Sequence, residues 1–543
     1  MKNRQHRICR LLSAVLLVSG LASCTNTADP SGSAVSVTQM AQLNAGLTPE
    51  KTEDHYRNTY EVFLYSFYDS NNDGIGDLQG LIKKLDYIQD MGFNALWLMP
   101  ICPSPTYHKY DVTDYKAIDP QYGTMDDYDA LIKECHDRGM TVITDLVLNH
   151  TSVEHEWFRQ AHDYLKELPE DWGASAEYCP YFDYYNFSRE FKGGYEKLPD
   201  TNWYYEARFW SGMPDLNLDS EAVRNEITDI MKFWLDRGTD GFRLDAVTSF
   251  YTGNDAKNTE FLRWLCDAGR SIKNDCYFVA EGWTVQGTYA AYYDSGIDSM
   301  FDFAFADSEG IISKTLKGSY GAEDFVNALA KEEQLYSEHN PSYVNAPFYT
   351  NHDMARGAGY YAGDDGTKTK TALALNLLMG GNAFVYYGEE LGMKGSGKDE
   401  NKRAPMYWDS DAQAEGMCRG PEYMDDFDMK FPPFSEQEKD PLSIWQYVRQ
   451  AVHIRNAFPV IARGKTVPLD ELSEEEYAVM IKEDGTHEPV LIAMNLDENS
   501  HEIDLGSTGY GTLSATLNTS MEFAVYKDGK LTLPPYTIAF FTK

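Results

Sequence analysis

The sequence predicts an α/β protein: a (β/α)8 barrel with an inserted domain after its third strand, followed by a C-terminal antiparallel β-domain. Three observations predict it. Eight short apolar, β-rich runs recur along the chain and alternate with amphipathic helical stretches. Residues 151–213, between the third and fourth runs, form a connection far longer than a simple loop needs. Beyond about Pro459 the pattern changes to alternating strands with turn signals.

In chain order, Lys2, Arg4, Arg7 and Arg10 precede an apolar run at 11–22 that is short for a bilayer span but has the layout of an export signal over residues 1–23. It ends Leu21-Ala22-Ser23-Cys24, which resembles the bacterial lipobox. That implies a lipid on Cys24, a membrane anchor, and a cell-surface, extracellular protein. The following TNTADPSGSAVS is polar and rich in Gly, Pro and Ser, so residues 24–54 are expected to be a flexible tether. The barrel is expected over 55–150 and 214–459. Its strands are YEVFLYSF (60–67), ALWLMP (95–100), TVITDLVL (141–148), GFRLDAV (241–247), CYFVAEGW (276–283), SMFDFAF (299–305), APFYTNHD (346–353) and NAFVYYGEE (382–390). Between them, stretches such as LQGLIKKLDYIQDMG and EAVRNEITDIMKFWLDRG space apolar residues three or four apart and carry Gly near the end, as helices do. The inserted domain occupies 151–213, and 460–543 is expected to be a β-sandwich.

The 543 residues carry a formal net charge of −38. Such a field repels polyanions, which argues against nucleic-acid and anionic-lipid binding by the body of the protein, and a neutral or cationic partner is expected. The 38 Tyr and 10 Trp suit surfaces that stack on flat, amphipathic ligands such as sugar rings. After loss of Cys9 and lipidation of Cys24, six cysteines remain without a CxxC pair, which argues against zinc.

In a barrel of this kind chemistry sits at the C-terminal ends of the strands. There the sequence places Asp245 with Arg243 two residues before it, Glu281, and Asp353 beside His352. One acid alone would more often cap a helix; three on one face point to catalysis. A second acidic cluster, DSNNDGIGDLQG (69–80), begins like an EF-hand but has Gly80 where that motif needs Glu. It is either a cation loop or a solvated turn.

The segments DLVLNH (145–150), GFRLDAV (241–247), VAEGW (279–283) and FYTNHD (348–353) resemble, in order and spacing, the four sequence regions of the α-amylase family of glycoside hydrolases. YDVTDY, MPDLNLD, YYGEELGM and RAPMYW agree, and the resemblance covers roughly residues 55–540. It implies Asp245 as nucleophile, Glu281 as general acid/base and Asp353 as stabiliser of the distorted sugar. Tyr110, Asp111, His150, Arg243 and His352 would hold the glucose at the cleavage point. It also implies a structural Ca2+ at Asp69, Asn71, Asp73, the Ile75 carbonyl and Asp77, as on the oligo-1,6-glucosidase side of the family, while Asn149 matches a ligand of a different calcium site. MPDLNLD lies between oligo-1,6-glucosidase and neopullulanase forms, and Ala246, Val247, Thr248 and Ser249 replace the Lys-His pair that often follows the nucleophile. The implied function is an extracellular, monomeric α-amylase hydrolysing α-1,4 bonds of starch and maltooligosaccharides with retention. An exo-acting α-glucosidase or oligo-1,6-glucosidase, a neopullulanase or a transglycosylase would share every catalytic residue, and a glycan-capture lipoprotein would share fold and anchor. Trp203 and Trp210 either stack on glucose units or belong to the inserted domain's core.

Overall fold

The computed structural model describes residue 44 and residues 46–543. The export segment, Cys24 and most of the tether lie outside the described residues.

Seven parallel strands form the central sheet: β1 (Asn58–Val62), β2 (Ala95–Leu98), β3 (Thr141–Leu146), β7 (Gly241–Leu244), β8 (Tyr277–Ala280), β9 (Ser299–Met300) and β10 (Ala383–Tyr386). Their order is β10-β1-β2-β3-β7-β8-β9. The seventh expected strand closes the gap with two parallel bridges, Phe301 to Ala346 and Phe348 to Phe384. It never becomes a full ladder because Pro347, between the two bridging residues, has no N–H to donate. Eight positions therefore surround one lumen, filled by Trp97, Ile143, Val279, Phe301, Phe348 and Phe384.

The other runs also leave the sheet earlier than their composition suggests, and two of them show why. The first leaves the sheet after Val62 for a 3-10 turn at Leu64–Ser66. The run at 299–305 pairs only at its start, because Asp302 turns into a buried network with Tyr289, at 2.9 Å, and Asn345, at 3.0 Å. Helices follow the strands, with starts set by side-chain caps: Asp77 accepts from the Gly80 N–H, and Thr124 with Asp127 forms a capping box.

The insertion after β3 holds a helix, Glu156–Glu167, and a small antiparallel sheet of β4 (Phe187–Ser188), β5 (Tyr195–Lys197) and β6 (Tyr204–Glu206). At the C-terminus, β11 (Lys465–Pro468), β12 (Tyr477–Glu483), β13 (Val490–Asn495), β18 (Ile538–Thr542) and β15 (Thr512–Leu517) make one sheet. A second is made of β14 (His501–Asp504), β17 (Lys530–Leu533) and β16 (Val525–Lys527). Period-two alternation gives the larger sheet two apolar faces. Val479, Leu491, Ala493 and Phe541 join Ile503, Leu531 and Leu533 of the second sheet, whereas Met480, Ile492, Met494 and Phe540 join the barrel's core. Buried Lys482 adds a polar tie, 2.9 Å from Glu333 on the barrel helix Ala322–His339.

Candidate active site

The same alternation that fills the lumen aims charges at its mouth. Along three strands an inward apolar or polar position is followed, two residues on, by an acid: Thr59 by Glu61, Ile143 by Asp145, Val279 by Glu281. The fourth pair, Arg243 and Asp245, is ionic throughout.

Arg243 is fully buried and gathers three of these acids. Its guanidinium donates to Asp145 at 2.5 Å, to Asp245 at 2.6 Å and to Glu281 at 2.5 Å. Its flat face lies 5.2 Å from the Trp97 ring. Only a planar fork can serve three carboxylates at once, which a lysine ammonium could not. Burial pushes the Glu281 carboxyl up to about 7 although Arg243 pulls it down. Burial likewise raises Asp145 to about 6, against the pull of Arg243. A carboxyl that keeps its proton near neutrality is what a general acid requires. Immediately after Asp245 the chain turns sharply: Ala246 adopts a left-handed conformation with φ of 44°, and its N–H approaches Glu281 at 3.3 Å. Strain of this kind costs about 1 kcal/mol and persists only where the surroundings enforce it.

Asp353 sits between two cations. Burial alone would raise its carboxyl, but His352, at 3.1 Å, and Arg403, at 2.7 Å, hold it far below the usual carboxylate range. His352 is an imidazolium: burial disfavours its charge, yet Asp353 and Glu61, the latter at 2.6 Å, raise it to about 9. Glu61, Asp145, Arg403 and Tyr107 are site residues to which sequence reasoning gave no role. Glu61 was hidden because an acid inside an apolar run has no motif, although its inward position in β1 was readable from alternation.

The structure brings the expected glucose-contacting residues to the same mouth. The Tyr110 hydroxyl lies 2.7 Å from His352 Nε2 and 3.3 Å from Asp145. His150 Nε2 is 3.2 Å from the Tyr110 carbonyl, and burial lowers its basicity. Asp111 is turned toward Ser104, at 2.7 Å, and Thr106, so it orders the loop after β2. The two tryptophans separate. Trp203 packs within the inserted domain, edge-on to Phe182 at 6.0 Å and under the Arg189 guanidinium at 4.7 Å, which is the core alternative. Trp210 is 51% exposed, and its neighbour Phe209 meets the His150 ring at 5.2 Å. A further exposed aromatic, Trp283, follows Glu281 by two residues and stacks on Phe303 at 5.3 Å.

Beside this centre lies a groove of about 1170 Å³ lined by the loop after β2, the segment after β10, and Tyr65 from the turn after β1. Tyr107 joins it to the catalytic cluster through a 3.1 Å bond from Arg403. In the closed eight-membered order β8, which carries Glu281, stands four places from β1. The groove and the candidate acid therefore occupy opposite sides of the mouth.

The loop at 69–77 is held by its own acids. Asp69 accepts from the N–H groups of Asn71 (3.0 Å), Asn72 (2.6 Å) and Gly74 (2.6 Å), and Asp73 from that of Ile75 (2.8 Å). Asp77 accepts from Ser70 at 2.9 Å and caps the next helix. The buried Cys418 thiol is raised by desolvation and then by the charges of Asp69, Asp77 and Asp73. Hard oxygens suit Ca2+. Among the described residues no three acidic, histidine or cysteine side chains form a ready ligand set, so an ion would recruit Asn71, the Ile75 carbonyl and water as well.

A family model described as the catalytic domain of alpha amylase matches residues 61–464. Alpha-amylase 3 of Dictyoglomus thermophilum is 37% identical over 461 residues, covering 82% of this chain and 86% of its own. An oligo-1,6-glucosidase of Heyndrickxia coagulans is 27% identical over 563 residues, covering 86% and 98%. Among solved structures, Eubacterium rectale Amy13B superposes with a TM-score of 0.91 at 50% identity, covering 93% of this chain and 98% of that one.

If Glu281 donates its proton in the rate-determining step, kcat/KM for maltotriose should fall about tenfold per unit of pH above about 7, as the protonated fraction does. A profile that stays flat to about pH 9 would remove Glu281 from that role.

Proposed function

The chain belongs to the α-amylase family of glycoside hydrolases, and from that premise we propose that it is an endo-acting α-amylase, cleaving internal α-1,4 bonds of starch and maltooligosaccharides with retention. The observation that carries the endo reading is the groove beside Asp353 and Arg403. The leaving group departs toward the acid, Glu281, so the retained part of the chain runs to the other side of the mouth. An exo-enzyme needs that side closed behind a single sugar; here a groove of about 1170 Å³ lies on that side, with Tyr107 of its lining bonded to Arg403.

The reaction follows from the geometry. The Asp245 carboxylate attacks C1 of the sugar while Glu281 gives its proton to the departing glycosidic oxygen. The C1–O bond breaks and a glycosyl ester to Asp245 forms. Glu281, now a carboxylate, takes a proton from water, whose oxygen attacks C1 and releases Asp245. Two inversions give retention. Asp353, kept anionic by His352 and Arg403, faces the positive charge that develops on the ring. Arg243 holds Asp245 and Glu281 in register through both halves.

Two further parts complete the proposal. The lipobox at Cys24 would tether a monomeric enzyme outside the cell, where polymers too large to import are met; among the described residues no helix is long and apolar enough to cross a membrane. The 69–77 loop would hold a structural Ca2+, which relieves repulsion among Asp69, Asp73 and Asp77 and takes no part in the chemistry.

On soluble starch, viscosity should collapse while few reducing ends have formed. Slow thinning with steady glucose release would instead identify an exo-glucosidase, and rapid cleavage of pullulan a neopullulanase. Added Ca2+ at about a hundredfold excess over its Kd should stabilise the fold by about 2.7 kcal/mol, seen as a rise in Tm that a chelator reverses. A Tm indifferent to both would leave the loop as a turn without an ion.

A further inference from the structure

The groove contains an exposed aromatic residue in an unfavourable backbone conformation. Tyr423 is 74% exposed and has φ of 71°, a left-handed geometry that side chains other than Gly, Asn and Asp seldom adopt. Neither burial nor packing explains its place. Polar ties hold it there: Lys398 Nζ donates to the Tyr423 carbonyl at 3.3 Å and pairs with Asp425 at 2.5 Å, and Asn401 binds Asp425 at 2.9 Å. The same short segment grips the catalytic carboxylate, since Lys402 donates to the Asp353 carbonyl at 2.8 Å and Arg403 to its side chain at 2.7 Å. The Tyr423 backbone is thus held relative to Asp353 by a few residues of tightly bonded chain.

Tyr65 lines the same groove from the turn after β1. It stacks on Phe63 at 5.8 Å and 14°, and Tyr107 meets both rings edge-on at 6.2 Å. Glu422 and Tyr423 line the same groove as Tyr65, so the segment bearing Tyr423 borders the space that Tyr65 faces. Two flat aromatic faces therefore border one groove, with hydroxyl, amide and carboxylate groups such as Ser104, Gln121 and Asp399 among its lining. A glucose unit presents apolar ring faces and a polar rim, and that pattern matches it.

Resting on the endo reading above, we infer that Tyr423 and Tyr65 form a distal binding site for a glucose unit of the retained chain, beyond the sugar that reacts, and that Tyr423 sets the preference for long α-glucans. Remote binding of this kind acts on kcat/KM for substrates long enough to reach it and on no others. The strain at Tyr423 is the cost of presenting the ring to a ligand instead of packing it.

The test compares Tyr423→Ala and Tyr423→Trp with the wild type on maltotriose and maltoheptaose. Y423A should lose about tenfold in kcat/KM on maltoheptaose, what a lost aromatic contact gives, and stay within about twofold on maltotriose. Y423W should restore the long substrate. Equal losses on both substrates, with or without a lowered Tm, would overturn the site, as would no loss on either. A wild-type enzyme that releases glucose from chain ends would overturn the endo reading itself, an outcome visible before any variant is compared.

Discussion

The guanidinium of Arg243 is the interaction on which the rest of the centre depends. Five carboxyl groups, Glu61, Asp145, Asp245, Glu281 and Asp353, converge on a largely buried mouth, where unpaired anions would cost several kcal/mol each. Three cations, Arg243, Arg403 and the His352 imidazolium, are interleaved with them. They leave the cluster short of full compensation, and the deficit is shared by Glu281, Asp145 and Glu61, whose carboxyls burial raises, with Glu281 pushed to about 7. In the proposed reaction, one arrangement of charge would thus give two carboxyl groups on neighbouring strands opposite tasks, attack by Asp245 and proton donation by Glu281.

That arrangement depends on the barrel. Parallel strands with a strict period of two send every second side chain inward, and the first inward layer is apolar enough to exclude water from below. The second layer then meets substrate from above. The turn at Ala246 and the missing N–H of Pro347 are local departures from regular strand at this rim, where the sheet must stop and side chains must be aimed. The C-terminal sandwich supports the barrel from outside by burying its second apolar face against it.

Much of this was legible in the sequence. The eight runs, the long insertion, the terminal sheet and the four motif segments locate the barrel and its mouth without coordinates. What alternation and motifs could not give were partnerships between distant segments. Glu61 reads as one acid in an apolar run until the fold sets it 2.6 Å from His352. Arg403 lies in a segment that was recognisable, but its grip on Asp353 is a tertiary fact. Trp203 and Trp210 look alike on paper; Phe182 and Arg189 decide that the first is packing. Tyr423 had no signal, because its interest lies in exposure and backbone conformation, which composition does not encode.

The claim most worth testing is that Asp245, held by Arg243, forms a covalent bond to the sugar while Glu281 does not. A 5-fluoro-α-glycosyl fluoride, whose departure from the enzyme is slowed by the electron-poor ring, should inactivate the protein. Peptide mass spectrometry should then find the sugar esterified to the peptide containing Asp245, and to its carboxyl by fragmentation. A label on Glu281 or Asp353 would contradict the charge arrangement described here, as would steady turnover of the reagent with inverted product and no adduct.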